Sequence, residues 1–336
     1  MIAARLFPFD EVWWVYILAT LIISALLAID LGFFHKQAHR VSMREATSFA
    51  VVWVAVALAF NVLLYFWSLS FLASHPPVGI SVPDAAKRTA LEFLAGYVVE
   101  YSLSVDNIFV FVVVLTYFGV PAAFQHRVLF FGILGALVFR GVFIALGAAL
   151  LQFEWVVWAF GAFLVFTGAK MMTGGEEGPV EPHERWVIRQ FRRRFPVTGE
   201  FRGHSFFVRH DGRLHATPLF VCLLFLEMTD ILFAVDSVPA IFGLTREPFV
   251  VFTSNIFAIL GLRNLYFLLA GAVDKFHLLK YGLGAVLVFV GLKMTVLNRL
   301  WHGQFPISWS LGIIVGVIGA SIALSLLFPQ KPGEGS

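Results

Sequence analysis

Apolar residues run along this chain in blocks separated by short polar breaks. Nine blocks read as membrane-crossing helices: 12–34, 44–72, 88–117, 127–151, 154–173, 217–243, 249–271, 278–297 and 307–328. About 20 apolar residues in a helix cover the roughly 30 Å hydrocarbon core of a bilayer. The blocks leave no room for a separate soluble domain, so residues 1–336 read as a single transmembrane domain of the all-α class, a polytopic helix bundle. The first block is too long for a signal peptide and shows no small-residue cleavage site, so it is expected to remain as a helix.

An internal repeat organises the blocks. The fifth ends in LVFTGAKM (164–171) and the eighth in LVFVGLKM (287–294). The fourth carries Arg140-Gly-Val-Phe-Ile and the seventh Arg263-Asn-Leu-Tyr-Phe, and arginine to lysine is 30 residues in both cases, 140 to 170 and 263 to 293. Upstream, Glu100, Asp106 and Asn107 in the third block match Asp230, Asp236 and Ser237 in the sixth, with both acidic pairs six apart. Three matches in one order define repeats at 88–173 and 217–297. Each contains three helices, an odd number, so the second inserts upside down relative to the first. The expected architecture is therefore about nine helices built around two inverted three-helix repeats, superposable through a pseudo-two-fold axis in the membrane plane. Inverted repeats are a transporter device, with the site near the midplane where the halves meet. Blocks one, two and nine lie outside the repeat and read as peripheral.

Composition agrees: 59% of residues are hydrophobic and 13% charged, against about a quarter charged in soluble chains. The pI of 9.1 comes largely from the segment 174–216, which contains Arg185, Arg189, Arg192, Arg193, Arg194, Arg202, Arg209 and Arg213. Arginine excess in a short loop marks the cytoplasmic side, so the charge reports topology and not nucleic-acid binding. That placement puts the N-terminus outside and the C-terminus in the cytoplasm. The loop with Lys36, Arg40 and Arg44 then falls inside as the rule requires, whereas Lys87 and Arg88 fall outside, against it. Cys222 is the only cysteine, which excludes an intramolecular disulfide and a cysteine-cluster metal site.

Five carboxylates stand inside the third and sixth blocks: Glu100, Asp106, Glu227, Asp230 and Asp236. Each ionised acid at a helix centre costs about 2.5–3.5 kcal/mol on insertion scales, so five unpaired would cost on the order of 12–17 kcal/mol. Structural ion pairs with Arg140 and Arg263 are the plainest way to neutralise them, but two arginines cannot neutralise five acids. The surplus points to protons or a bound cation. A six-residue step leaves side chains roughly 120° apart and about 9 Å along the axis of an ideal helix. Glu100 and Asp106 cannot both chelate one ion from such a helix. Either the helix is interrupted between them, or they occupy successive positions on a path. Pro239, three residues beyond Asp236, favours an interruption in the sixth block. Carboxylates with Asn107, Ser237 and Asn255 form an oxygen-rich set suited to Mg²⁺, Ca²⁺ or Mn²⁺.

Other polar residues take plainer readings. Lys170 and Lys293 lie near block ends, where their stems snorkel to the interface. Met228 and Cys222 read as packing residues, and the histidines show no chelating pattern. The chain carries no phosphate-binding glycine loop and no Ser/His/Asp nucleophile arrangement, so it is not expected to be an enzyme.

Beyond these patterns, EYSLSVDN (100–107), EMTDILFAVDSVPAIFG (227–243) and FTSNIFAILGLRNLYFLL (252–269) resemble the signature stretches of the TerC family, and DLGFFHKQAHRVSMREA (30–46) resembles its segment after the first helix. The resemblance spans roughly residues 12–300. It implies membership of the wider LysE-like group of inverted-repeat transporters, a link by name to tellurium resistance, and likeness to bacterial manganese exporters of the inner membrane. Carried over by position, it makes Glu100, Asp106, Glu227, Asp230 and Asp236 the metal-handling acids. The expectation is a secondary transporter exporting Mn²⁺ by alternating access. Moving two charges outward against an inside-negative potential costs about 4.6 kcal/mol per 100 mV. Exchange for two inward protons cancels that cost, which makes Mn²⁺/H⁺ antiport the expected coupling. Asp106 and Asp236 would face each other near the midplane as central ligands, with Asn107 and Ser237 completing an oxygen shell. The expected partners are the divalent ion, protons and the lipid bilayer, with no permanently bound cofactor. A Ca²⁺/H⁺ exchanger and a membrane scaffold of a tellurium or stress-resistance complex are the alternatives.

Overall fold

The computed structural model describes residues 6–34, 43–173, 195–201, 203, 205–210, 213–261, 265–266, 278–301 and 305–328. Nine helices and one hairpin occupy these residues. The helices are α1 (Phe9–Phe34), α2 (Met43–Ser74), α3 (Val82–Tyr117), α4 (Ala122–Leu150), α5 (Glu154–Thr173), α6 (Pro218–Leu244), α7 (Pro248–Leu260), α8 (Leu279–Leu300) and α9 (Ile307–Leu327). Seven of them are long and apolar enough to cross a bilayer. The other two are α3, which carries more charge, and α7, which is described for 13 residues. The chain is thus a multi-pass integral membrane protein, and its described residues are nearly all helical, with one two-stranded antiparallel hairpin, β1 (Phe207–His210) on β2 (Arg213–Ala216). That hairpin lies in the arginine-rich segment, whose residues 174–194 are outside the described ones.

Proline and small polar residues set the helix ends. Pro121 and Pro306 precede α4 and α9, and Pro218 and Pro248 open α6 and α7, where a missing N–H costs nothing. Gly119, at φ +61°, turns the chain between α3 and α4. Helix α3 begins earlier than the apolar block suggests. Ser81 Oγ accepts from the Asp84 N–H at 3.2 Å and donates to its carboxylate at 2.5 Å, so the helix starts at Val82. Lys87 and Arg88 therefore belong to a helix and not to a loop.

The helices align so that chain ends sort to two faces. At one, Tyr266 donates to Gln125 at 3.2 Å, Arg127 stacks over Phe206 at 5.1 Å, and the Thr217 hydroxyl donates to the Ser205 carbonyl at 2.8 Å. At the other, the Glu247 carboxylate accepts from the Leu6 N–H at 2.8 Å, and a cavity is bounded by the start of α3 and the ends of α6 and α8. The most extensive helix pair is α5 with α8, followed by α4 with α6 and α3 with α7. Glycines bring α5 and α8 into backbone contact. A Cβ on Gly291 would stand 2.6 Å from the Gly161 carbonyl oxygen, and one on Gly284 would stand 2.7 Å from that of Gly168. Residue 161 faces 291 and 168 faces 284, so the two helices run antiparallel.

Of the two alternatives for the paired acids, an interrupted helix is absent, including the interruption that Pro239 favours in the sixth block. Helix α3 is continuous through Glu100 and Asp106, and α6 is continuous through Asp230, Asp236 and Pro239. Flanking packing holds the helix over the one donor that Pro239 removes: Val238, Ala240 and Ile241 are all buried. The departure from α geometry falls elsewhere, in a π-helical turn at Lys293–Leu297 of α8.

Candidate functional site

Where α3, α4, α6 and α7 meet, each contributes one polar side chain to a buried centre. Arg140 on α4 is 1% exposed, and Glu100, Asp230 and Asn255 are equally enclosed. The Arg140 guanidinium pairs with Glu100 Oε1 through Nη1 and lies 3.4 Å from Asp230 Oδ1 through Nη2. Its Nη1 also donates to Asn255 Oδ1 at 3.3 Å. One guanidinium thus bridges acids on α3 and α6. An arginine fork suits this position because its fixed planar donors span two acceptors at once.

Glu227 lies one turn before Asp230 on α6, with its carboxylate packed against Gly135 of α4, in space that a side chain on residue 135 would fill. Two acids, Glu100 and Asp230, therefore share a single guanidinium, with Glu227 one turn away against Gly135. Several of their atoms have no hydrogen-bond partner among the described residues: Glu100 Oε2, Asp230 Oδ2, Glu227 Oε2, Asn255 Nδ2 and the Ser237 hydroxyl. Buried polar atoms in native proteins are nearly always paired. Unpaired oxygens on adjoining turns of α3 and α6 form a set that protons or a hard cation can satisfy.

The seven residues expected to handle metal divide three ways. Glu100 and Asp230 come together on Arg140, and Glu227 lies one turn before Asp230 against Gly135. Asn107 and Ser237 are buried in α3 and α6, roughly two turns further along each helix. Asp106 and Asp236 lie on continuous helix, but their side chains, and hence their expected facing geometry, are outside the described residues, as is Arg263. Among the described residues no three His, Cys, Asp or Glu side chains converge on one point suited to a metal ion.

The sequence reading missed a second buried acid. Glu92 on α3 is 3% exposed, with Oε1 accepting from Arg88 Nε at 2.7 Å and Oε2 from the Thr245 hydroxyl at 2.5 Å. Its signal was an acid inside an apolar block four residues after an arginine. Lys293 also departs from expectation. It is buried at 3% and donates to the Leu244 carbonyl at 3.3 Å, instead of snorkelling to the interface. The π turn that begins at Lys293 lies against α6, whereas Lys170, its repeat counterpart, is exposed. Cys222 packs in a hydrophobic core, as expected.

A multi-pass helical bundle with ionisable side chains enclosed between its helices defines a polytopic membrane protein with a buried polar centre. The model of the integral membrane protein TerC family matches residues 85–332, and the chain belongs to that family. An uncharacterised membrane protein of Myxococcus xanthus is 47% identical over 306 residues, covering 91% of this chain and 89% of that one. The putative membrane-bound redox modulator Alx of Escherichia coli K12 is 43% identical, covering 88% and 89%. The chloroplastic thylakoid membrane protein TERC of Arabidopsis thaliana is 43% identical over 250 residues, covering 74% of this chain and 64% of the relative. No solved structure matches the chain significantly.

Proposed function

We propose that this protein is a secondary transporter that exports Mn²⁺ across the inner membrane in exchange for protons. The observation that carries the reading is the charge imbalance at the centre: two enclosed carboxylates, Glu100 and Asp230, share one guanidinium, each with an unpaired oxygen, and a third acid, half-buried Glu227, lies one turn away. A purely structural ion pair would match its charges. This centre retains a negative surplus that a cation or protons neutralise, and the two compete for the same oxygens. That competition is the physical basis of antiport.

The architecture we propose for it is a pair of inverted repeats, α3–α5 and α6–α8. A two-fold operation relating them carries Gly161 to Gly284 and Gly168 to Gly291. It therefore turns the contact between 168 and 284 into the contact between 291 and 161, and both contacts are present. The same operation exchanges the α4–α6 and α3–α7 pairings, which are of similar extent. Glu100 and Asp230 become equivalent positions held by one arginine. With these helices continuous and antiparallel, Asp106 and Asp236 lie about 9 Å along each axis on opposite sides of that centre, one towards each face. The arginine-rich segment and the hairpin lie on the cytoplasmic side in this reading, with the N-terminus outside. The redox function in the name of the Escherichia coli relative finds no thiol pair here, because Cys222 is the chain's single cysteine.

Reconstitution into proteoliposomes tests the proposal. Outwardly directed Mn²⁺ flux should depend on an opposing proton gradient and should withstand Mg²⁺ competition. Asp106→Asn and Asp236→Asn should each reduce it at least tenfold while the protein still inserts. Unaltered flux in the double Asn variant would remove the site from the mechanism. Preference for Ca²⁺ would reassign the cargo.

A further inference from the structure

The face of the bundle opposite the hairpin holds a cavity of about 330 Å³ between the start of α3, the ends of α6 and α8 and the start of α9. Four basic residues line it, Lys87, Arg88, Arg246 and Lys293, against two acids, Asp84 and Glu92. Both acids are already engaged: Glu92 by Arg88 and Thr245, and Asp84 by the Ser81 hydroxyl. Lys87 and Arg246 are exposed, and neither has an ion-pair or hydrogen-bond partner among the described residues. Lys293 spends one of its three ammonium protons on the Leu244 carbonyl. The cavity is therefore electropositive, the sign that suits a phosphate.

Its level in the membrane is marked by tryptophans. Trp155 and Trp158 at the start of α5, Trp301 at the end of α8 and Trp309 at the start of α9 are all exposed, and indoles collect at the headgroup level. A second concavity of about 420 Å³ begins at Trp158 and follows α5 past Gly161, Val165 and Phe166 to Ala169, closed on its other side by Thr295. Its lining is apolar and faces the hydrocarbon. The two spaces flank the same π turn: Lys293 and Met294 border the basic cavity, and Thr295 borders the groove. Val157 and Trp158 make the same division on α5.

We infer that this pair of spaces is a binding site for one anionic phospholipid. Its phosphate sits in the cavity against Lys87, Arg246 and Lys293, and an acyl chain lies in the groove along α5. The charge of the cavity selects an anionic headgroup over a zwitterionic one, since basic pockets between membrane helices recognise lipid phosphates. The groove selects a lipid over a free anion. The inference does not depend on which ion the protein transports.

Native mass spectrometry and thermal unfolding of the purified, delipidated protein test it, with phosphatidylglycerol, phosphatidylcholine and inorganic phosphate added separately. Phosphatidylglycerol should be retained and should raise the unfolding temperature, whereas phosphatidylcholine and inorganic phosphate should do neither. Lys87→Gln with Arg246→Gln, two exposed positions whose exchange leaves the fold intact, should weaken retention at least tenfold. Ala162→Trp should do the same by filling the groove without touching a charge. Equal retention of phosphatidylcholine, stabilisation by phosphate alone, or unchanged retention in the double Gln variant would each overturn the assignment.

Discussion

At the scale of single residues, Arg140 is the keystone of the centre because it neutralises acids on two other helices. Removing one partner of a buried ion pair costs about 3–5 kcal/mol, since the remaining charge is left uncompensated. Arg140→Gln should destabilise the protein by about that much in thermal unfolding in detergent micelles. Adding Glu100→Gln to it should recover a substantial part. No recovery would mean that Glu100 is not the acid the arginine serves. The acids themselves were legible in the sequence because a carboxylate in an apolar run stands out against its surroundings. Which acid meets which arginine was not legible, because that depends on how α3, α4 and α6 pack. Glu92 escaped notice for a local reason: with Arg88 four residues away it reads as an ordinary surface pair, and its contact with Thr245, just past the end of α6, comes only from tertiary packing. Lys293 was misread because its distance from a block end says nothing of the α6 carbonyl waiting beside it.

At the scale of elements, the proposed repeat rests on matched motifs, and the glycines that end LVFTG and LVFVG lie in the contact surface between α5 and α8. Small residues let membrane helices approach to backbone distance, where dispersion and weak polar contacts hold them without a hydrophobic drive. Gly284→Ala and Gly291→Ala each place a methyl group 2.6–2.7 Å from a backbone carbonyl oxygen, which cannot rotate away. Each should cost roughly 1–3 kcal/mol, the range for overpacking. Gly312→Ala in α9 is the control. Nothing lies within 4 Å of its added methyl, so it should be neutral or stabilising by about 0.5–1 kcal/mol from helix propensity alone. Equal effects at all three positions would show that the close approach of α5 and α8 contributes nothing. The interruption expected near Pro239 was wrong because a proline removes one backbone bond, and buried neighbours on both sides can hold the helix through it. A sequence shows the missing donor but not the neighbours.

At the scale of the whole molecule, alternating access requires each face of the bundle to open in turn. On the face opposite the hairpin, α3 is tied to the end of α6 through Glu92 and Thr245, with Lys293 of α8 beside them. Glu92 lies eight residues before Glu100 on a continuous helix, so this tie sits about 12 Å from the buried centre. In the transport reading proposed above, this tie parts for an ion to leave by that face. A covalent bridge in its place should hold the face shut. With Cys222 replaced by Ala, Glu92→Cys and Thr245→Cys can be joined by a short reducible thiol-specific cross-linker. The bridged protein should lose at least tenfold in Mn²⁺ flux across proteoliposome membranes, and reduction should restore it. The single-cysteine variants treated in parallel should keep their flux, which separates bridging from chemical damage. Flux that survives complete cross-linking would mean that ions leave without α3 and α6 separating here, and the rocking of one repeat against the other would then have to be abandoned as the transport motion.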